Sequence, residues 1–127
     1  ANTLWAFAKA GHASPTLFEA IAEVAAPRLK DFKLQELVNI VWAFAKVGHR
    51  SPALFDATAE VAKLRLKGFN PQDLANTAWA LATANHASPA LFDAIAKVAK
   101  PRLKDFKSQE LANMAWSFAK AEHASPV

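Results

Sequence analysis

Histidine, tryptophan and asparagine recur in this 127-residue chain at a fixed step, and they are the residues best suited to chemistry. His12, His49, His86 and His123 stand 37 residues apart. Imidazole can ligate a metal or move a proton. Each period holds one histidine, however, just past a helical pattern. Helix layers pack roughly 8–10 Å apart, whereas zinc needs its ligands at about 2 Å. No H-E-x-x-H run is present, and no carboxylate keeps a consistent spacing from histidine. The favoured role is a hydrogen bond that stabilises a turn. Cysteine is absent, and three glycines cannot build a phosphate-cradling loop. No catalytic residue, metal site or cofactor is expected, and the chain does not read as an enzyme.

Trp5, Trp42, Trp79 and Trp116 keep the same 37-residue step, as do Asn2, Asn39, Asn76 and Asn113. The tryptophans lie beside an apolar stripe, so packing between adjacent units is favoured over stacking on a base. A polar stripe is more informative. Gln35, Asn39 and Lys46 cluster away from Leu37, Val41 and Phe44 on a helical wheel. Gln72, Asn76 and Thr83 hold the matching positions in the next unit, and Gln109, Asn113 and Lys120 those after it. Asn2 and Lys9 represent the first. Amides can bond base edges and lysines can neutralise phosphates, so these residues are the candidate nucleic-acid-binding set. The alternative is that the amides tie neighbouring backbone and the lysines merely solvate a helix.

Positioning those residues requires two helices per period. The first is clearest from Pro71 to Ala84, with Asn70 as N-cap, Pro71 at the first helical position and Asp73 closing a capping box. Gly11, Gly48 and Asn85 are placed to take the left-handed conformation that ends it. The second opens with Ser14-Pro15, Ser51-Pro52 and Ser88-Pro89. Its expected buried stripe is Leu17, Phe18, Ile21, Val24, Ala25 and Leu29, with counterparts 37 and 74 residues later. Pro27 and Pro101 should kink or end this helix, while Leu64 at the equivalent place shows that a break is not required. Phe32, Phe69 and Phe106 anchor the return loop. Arg65, Lys67, Arg102 and Lys104 fit as partners of the helix dipole.

Residues 1–37 and 75–111 share 28 identities against 9 differences, so the repeat dominates the chain. The expected architecture is all-α: a right-handed α-solenoid of 37-residue helix-turn-helix repeats with about seven helices. By period the repeats are 1–37, 38–74, 75–111 and a partial 112–127, all in one array spanning 1–127. The chain opens within the pattern and without Met, so it is expected to be a segment of a longer protein. Hydrophobic residues make up 53%, which argues against disorder. The longest apolar run, Ile40 to Ala45, is far short of the ~18 residues of a membrane span, and no membrane insertion is expected. The net charge of +4 divides as 0, +2, +2 and 0 over the four segments, a mild bias rather than a basic groove.

The run Phe69-Asn70-Pro71-Gln72-Asp73-Leu74-Ala75-Asn76-Thr77-Ala78-Trp79-Ala80-Leu81-Ala82 resembles the core motif of octotricopeptide repeats, and the 37-residue period is closer to their heptatricopeptide relatives. Such repeats occur in proteins similar to the FAST-kinase-domain and RAP-domain families. The resemblance covers essentially the whole chain. It implies a mitochondrial or plastid protein that binds single-stranded RNA through its first helices and acts in transcript stability, processing or translation. The rival expectation is a scaffold for protein subunits of an organellar assembly, such as a ribosome or a respiratory or photosynthetic complex. Two copies depart from the motif, with Lys33-Leu34 and Lys107-Ser108 in place of Asn70-Pro71.

Overall fold

The computed structural model describes residues 15–48 and 51–124. These fold as six α-helices joined by turns and short 3-10 segments, with no strand among the described residues. Helices α1 (Pro15–Ala25), α3 (Pro52–Arg65) and α5 (Pro89–Ala99) are the second helices of successive periods. Helices α2 (Leu34–Val47), α4 (Pro71–Thr83) and α6 (Ser108–Ala124) are the first helices. The additional first helix expected near the start of the chain lies outside the described residues, as do Asn2, Lys9, Gly11, Ser14 and His49. No helix among the described residues is long and apolar enough to cross a membrane.

Local sequence sets the helix ends. At the start of α4, the Asn70 side chain accepts from Asp73 N–H at 2.7 Å and Asn70 N–H donates to Asp73 Oδ2 at 3.1 Å. The two orphan donors thus satisfy each other's residues, as a capping box requires. The degenerate copies keep half of it: Lys33 and Lys107 N–H donate to Glu36 and Glu110, but a lysine side chain has nothing with which to accept. Ser51 and Ser88 cap α3 and α5, accepting from Leu54 and Leu91 N–H at 3.2 and 3.3 Å. Gly48 ends α2 at φ 72° and Asn85 follows α4 at φ 56°, both left-handed as their residue types allow. Glu122 holds the same place in the next period, and α6 runs on to Ala124.

The prolines act as the spacing predicts. Where Pro27 and Pro101 remove a backbone donor, the α-helix stops at Ala25 or Ala99 and tightens into a 3-10 segment over Ala26–Asp31 or Lys100–Asp105. Where Leu64 stands instead, α3 continues to Arg65. Each 3-10 segment leads into an extended phenylalanine whose N–H donates to the leucine three residues before it, as from Phe69 to Leu66 at 3.0 Å.

Helix α4 packs against both α2 and α6, and α3 against both α1 and α5, giving two rows of helices back to back. The core lies between the rows and between successive helices of each row. Phe18, Phe44, Phe55 and Phe69 fill it, with Leu37, Leu74 and Leu81. Ala43, Ala75, Ala78 and Ala80 are sealed where the first helices meet, and their small side chains let the backbones approach. Part of the expected stripe on α1 departs from this pattern. Leu17 is 39% and Val24 55% exposed, although Leu54 and Leu91, the counterparts of Leu17, are buried. The sequence repeat assigns equal roles to units whose covering neighbours differ.

Candidate nucleic-acid interface

Helix α4 is enclosed by α2, α5 and α6. From Gln72 to Thr83 it keeps solvent access at Gln72, Asn76, Trp79 and Thr83 alone. Those positions follow i, i+4, i+7 and i+11, a single stripe along the helix. The equivalent arc of α2 carries Gln35, Asn39, Trp42 and Lys46, and that of α6 carries Gln109, Asn113, Trp116 and Lys120. Stacking the helices brings the arcs together. Trp42, Lys46, Gln72, Asn76, Trp79, Gln109 and Asn113 line one open groove of about 440 Å³ across three successive first helices.

The expected amides therefore meet. Asn39, Asn76 and Asn113 are half-buried, neither sealed between layers nor on the surface of the second helices. Gln35 Nε2 donates to Asn39 Oδ1 at 3.1 Å, so that pair is partly spent on itself. Gln72, Asn76, Gln109 and Asn113 have no side-chain hydrogen bond among the described residues. Lys46 and Lys120 lie on the same surface, their ammonium groups 6.0 and 5.3 Å from the ring centres of Trp42 and Trp116. Both fall within cation–π range. Thr83 takes the lysine position on α4, but its hydroxyl oxygen is buried and unpaired. It adds no polar group to the groove.

Trp42 and Trp79 belong to the groove as well as to the packing. Trp42 and Trp79 are half-buried, with ring centroids 6.4 Å apart and planes tilted by 33°, and Trp116 is 46% exposed. Trp42 and Trp79 pack against each other between units and also line the groove, whereas Trp116 does not line it. The signal was present in the spacing. At 3.6 residues per turn, Gln35, Asn39, Trp42 and Lys46 fall within about 60° of arc. Weighing tryptophan with the apolar residues obscured it.

Histidine makes a bond beyond its own turn. His86 Nε2 lies 2.5 Å from Asp56 Oδ1 on α3, and the ring sits 5.7 Å from that of Phe55. An ionised carboxylate can only accept, so the imidazole N–H donates. Asp56 lies 30 residues before His86, as Glu19 lies before His49 and Asp93 before His123. A carboxylate does keep a constant spacing from histidine, one period back, and the absence read from the sequence is corrected accordingly. A local search misses it because the partner belongs to the preceding unit.

Two rows of helices thus expose amides, two indoles and the Lys46 ammonium group along one groove. Residues 1–126 match the family model of the RNA-editing substrate-binding complex 6 protein, and the chain belongs to that family. No curated protein matches it.

Proposed function

We propose that this chain is a helical-repeat module that binds single-stranded RNA through the α2–α4–α6 surface. The observation that carries this reading is the α4 stripe: the one solvent-facing line of an otherwise enclosed helix bears Gln72, Asn76 and Trp79, flanked in the groove by Lys46, Gln109 and Asn113. Amides supply hydrogen bonds to bases, and Lys46 and Lys120 attract phosphate without regard to sequence. The family's description, a complex that binds RNA-editing substrates, supports the same ligand class. The likeness to octotricopeptide and heptatricopeptide repeats supports a right-handed solenoid with 37-residue units. It also supports an organellar setting in RNA metabolism. The compartment proposed is the mitochondrion, one of the two settings that the repeat likeness implies. The role is binding rather than catalysis, with no metal or cofactor.

The test is a titration of single-stranded RNA over a salt series, comparing wild type with a Lys46→Ala/Lys120→Ala double variant. Each lost phosphate contact should flatten the slope of log K against log salt by about 0.7. Equal retention by the two proteins at every salt concentration overturns the reading.

A second reading, a scaffold for protein subunits, is favoured by membership of a multi-protein complex and by Leu64, 87% exposed on the α3 surface. Partners retained after nuclease treatment, with no crosslink from RNA to the first helices, would replace the first reading with this one.

A further inference from the structure

The three described tryptophans of the row are not equivalent. Lysine ammonium groups lie over Trp42 and Trp116, at 6.0 and 5.3 Å from the ring centres. Each therefore occupies a ring face that a base would need. At Trp79 the corresponding residue is Thr83, whose oxygen is buried, and no cation lies over that ring among the described residues. Trp79 thus contributes to the groove wall an indole that carries no cation.

The amides are not equivalent either. Gln35 and Asn39 bond each other at the α2 end, whereas Gln72 and Asn76 on α4 and Gln109 and Asn113 on α6 keep their donors and acceptors unspent. The unspent amides of α4 and α6 and the cation-free indole of Trp79 line the same groove.

We infer that Trp79 is the seat of a single unpaired adenine, stacked on the indole with its edge bonded by amides from α4 and α6. This rests on the reading that the groove takes single-stranded RNA. Each side-chain amide carries a donor beside an acceptor, the match for the exocyclic amine and adjacent ring nitrogen of adenine. Arginine or lysine is the usual reader of guanine, and a carboxylate that of cytosine. The groove wall contains no carboxylate and no arginine, and its one lysine, Lys46, lies over Trp42. A purine also offers the larger face for stacking.

The experiment measures fluorescence anisotropy of labelled 12-mers of adenylate, uridylate and cytidylate with the whole chain. Wild type is expected to hold the adenylate oligomer about tenfold more tightly than the pyrimidine ones, the size of one stacking contact. Trp79→Leu should remove that preference while leaving the salt slope unchanged. Thr83→Lys, at a half-exposed position, should level the preference by covering the indole and steepen the salt slope by about 0.7. Equal affinities in wild type, a pyrimidine preference, or an adenine preference that survives Thr83→Lys would overturn the assignment. Salt-sensitive but base-blind binding removes only the adenine seat. No binding to any oligomer removes the RNA-binding reading beneath it.

Discussion

Arg102 Nη1 donates to the carbonyl oxygen of Phe69 at 2.8 Å, and Arg65 Nη1 makes the same bond to Phe32 at 2.6 Å. In both cases the acceptor lies 33 residues earlier, in the return loop of the preceding unit. That phenylalanine is extended at the exit of a 3-10 segment, so its carbonyl has no helical donor. The arginine of the next unit supplies one. A residue placed to suit the dipole of its own helix is thus also a clasp between units.

Replacing Arg102 with Met should therefore cost about 1–3 kcal/mol, because a partly buried carbonyl loses a charged donor. Lys104→Met, at an exposed neighbouring position, should stay within about 0.5 kcal/mol. Urea unfolding followed by circular dichroism separates the two. Equal losses would mean that charge near the helix end, not the bond to Phe69, is what matters.

Lys33→Asn should raise stability by about 1 kcal/mol. It installs the side-chain acceptor that Asn70 provides on α4 and that Lys33 lacks. Asn70→Ala should lose a similar amount. The midpoint of thermal unfolding is the measurement, and an unchanged midpoint for both variants would show that packing alone sets these helix starts.

Ala78 is fully buried, on the helix that packs against both α2 and α6. Ala78→Leu adds side-chain volume at a fully buried position, at an expected cost of about 1–3 kcal/mol or more. Stability in a stack of this kind is shared between nearest neighbours. Hydrogen exchange should therefore show α2 and α6 loosened along with α4. Faster exchange confined to α4, with α2 and α6 unchanged, would contradict this coupling.

The His86–Asp56 contact joins the turn after α4 to α3. His86→Ala and Asp56→Ala should each cost about 0.5–1 kcal/mol, since Asp56 is largely exposed and such bonds contribute modestly there. The double variant should lose less than the two single losses added together, as contacting residues do. Strict additivity in a double-mutant cycle would show that the two side chains act separately.

Much of this architecture is legible in the sequence because local rules and the repeat agree. Asn70, Ser51 and Ser88 cap where expected, Gly48 and Asn85 turn left-handed, and Pro27 and Pro101 end their α-helices. The amide positions were likewise legible, since helical spacing alone gathers Gln72 and Asn76 on one stripe. The contacts that cross from one unit to the next were not. Arg102 to Phe69 and His86 to Asp56 depend on how the hairpins stack, and no local pattern contains their distances. Trp79 was half legible: its hydrophobicity points to the core, and only the enclosure of α4 on its remaining sides shows that the indole edges the groove. The exposure of Leu17 depends on its neighbours in space, which a period cannot encode.

The narrow wet line on α4 has an evolutionary corollary. When a helix is walled in on every other side, drift has four letters to play with, at Gln72, Asn76, Trp79 and Thr83, and every other substitution disturbs the masonry. Duplicated units can then diverge in taste while staying interchangeable as bricks. The threonine at 83, between lysines at 46 and 120, is one such difference among the units.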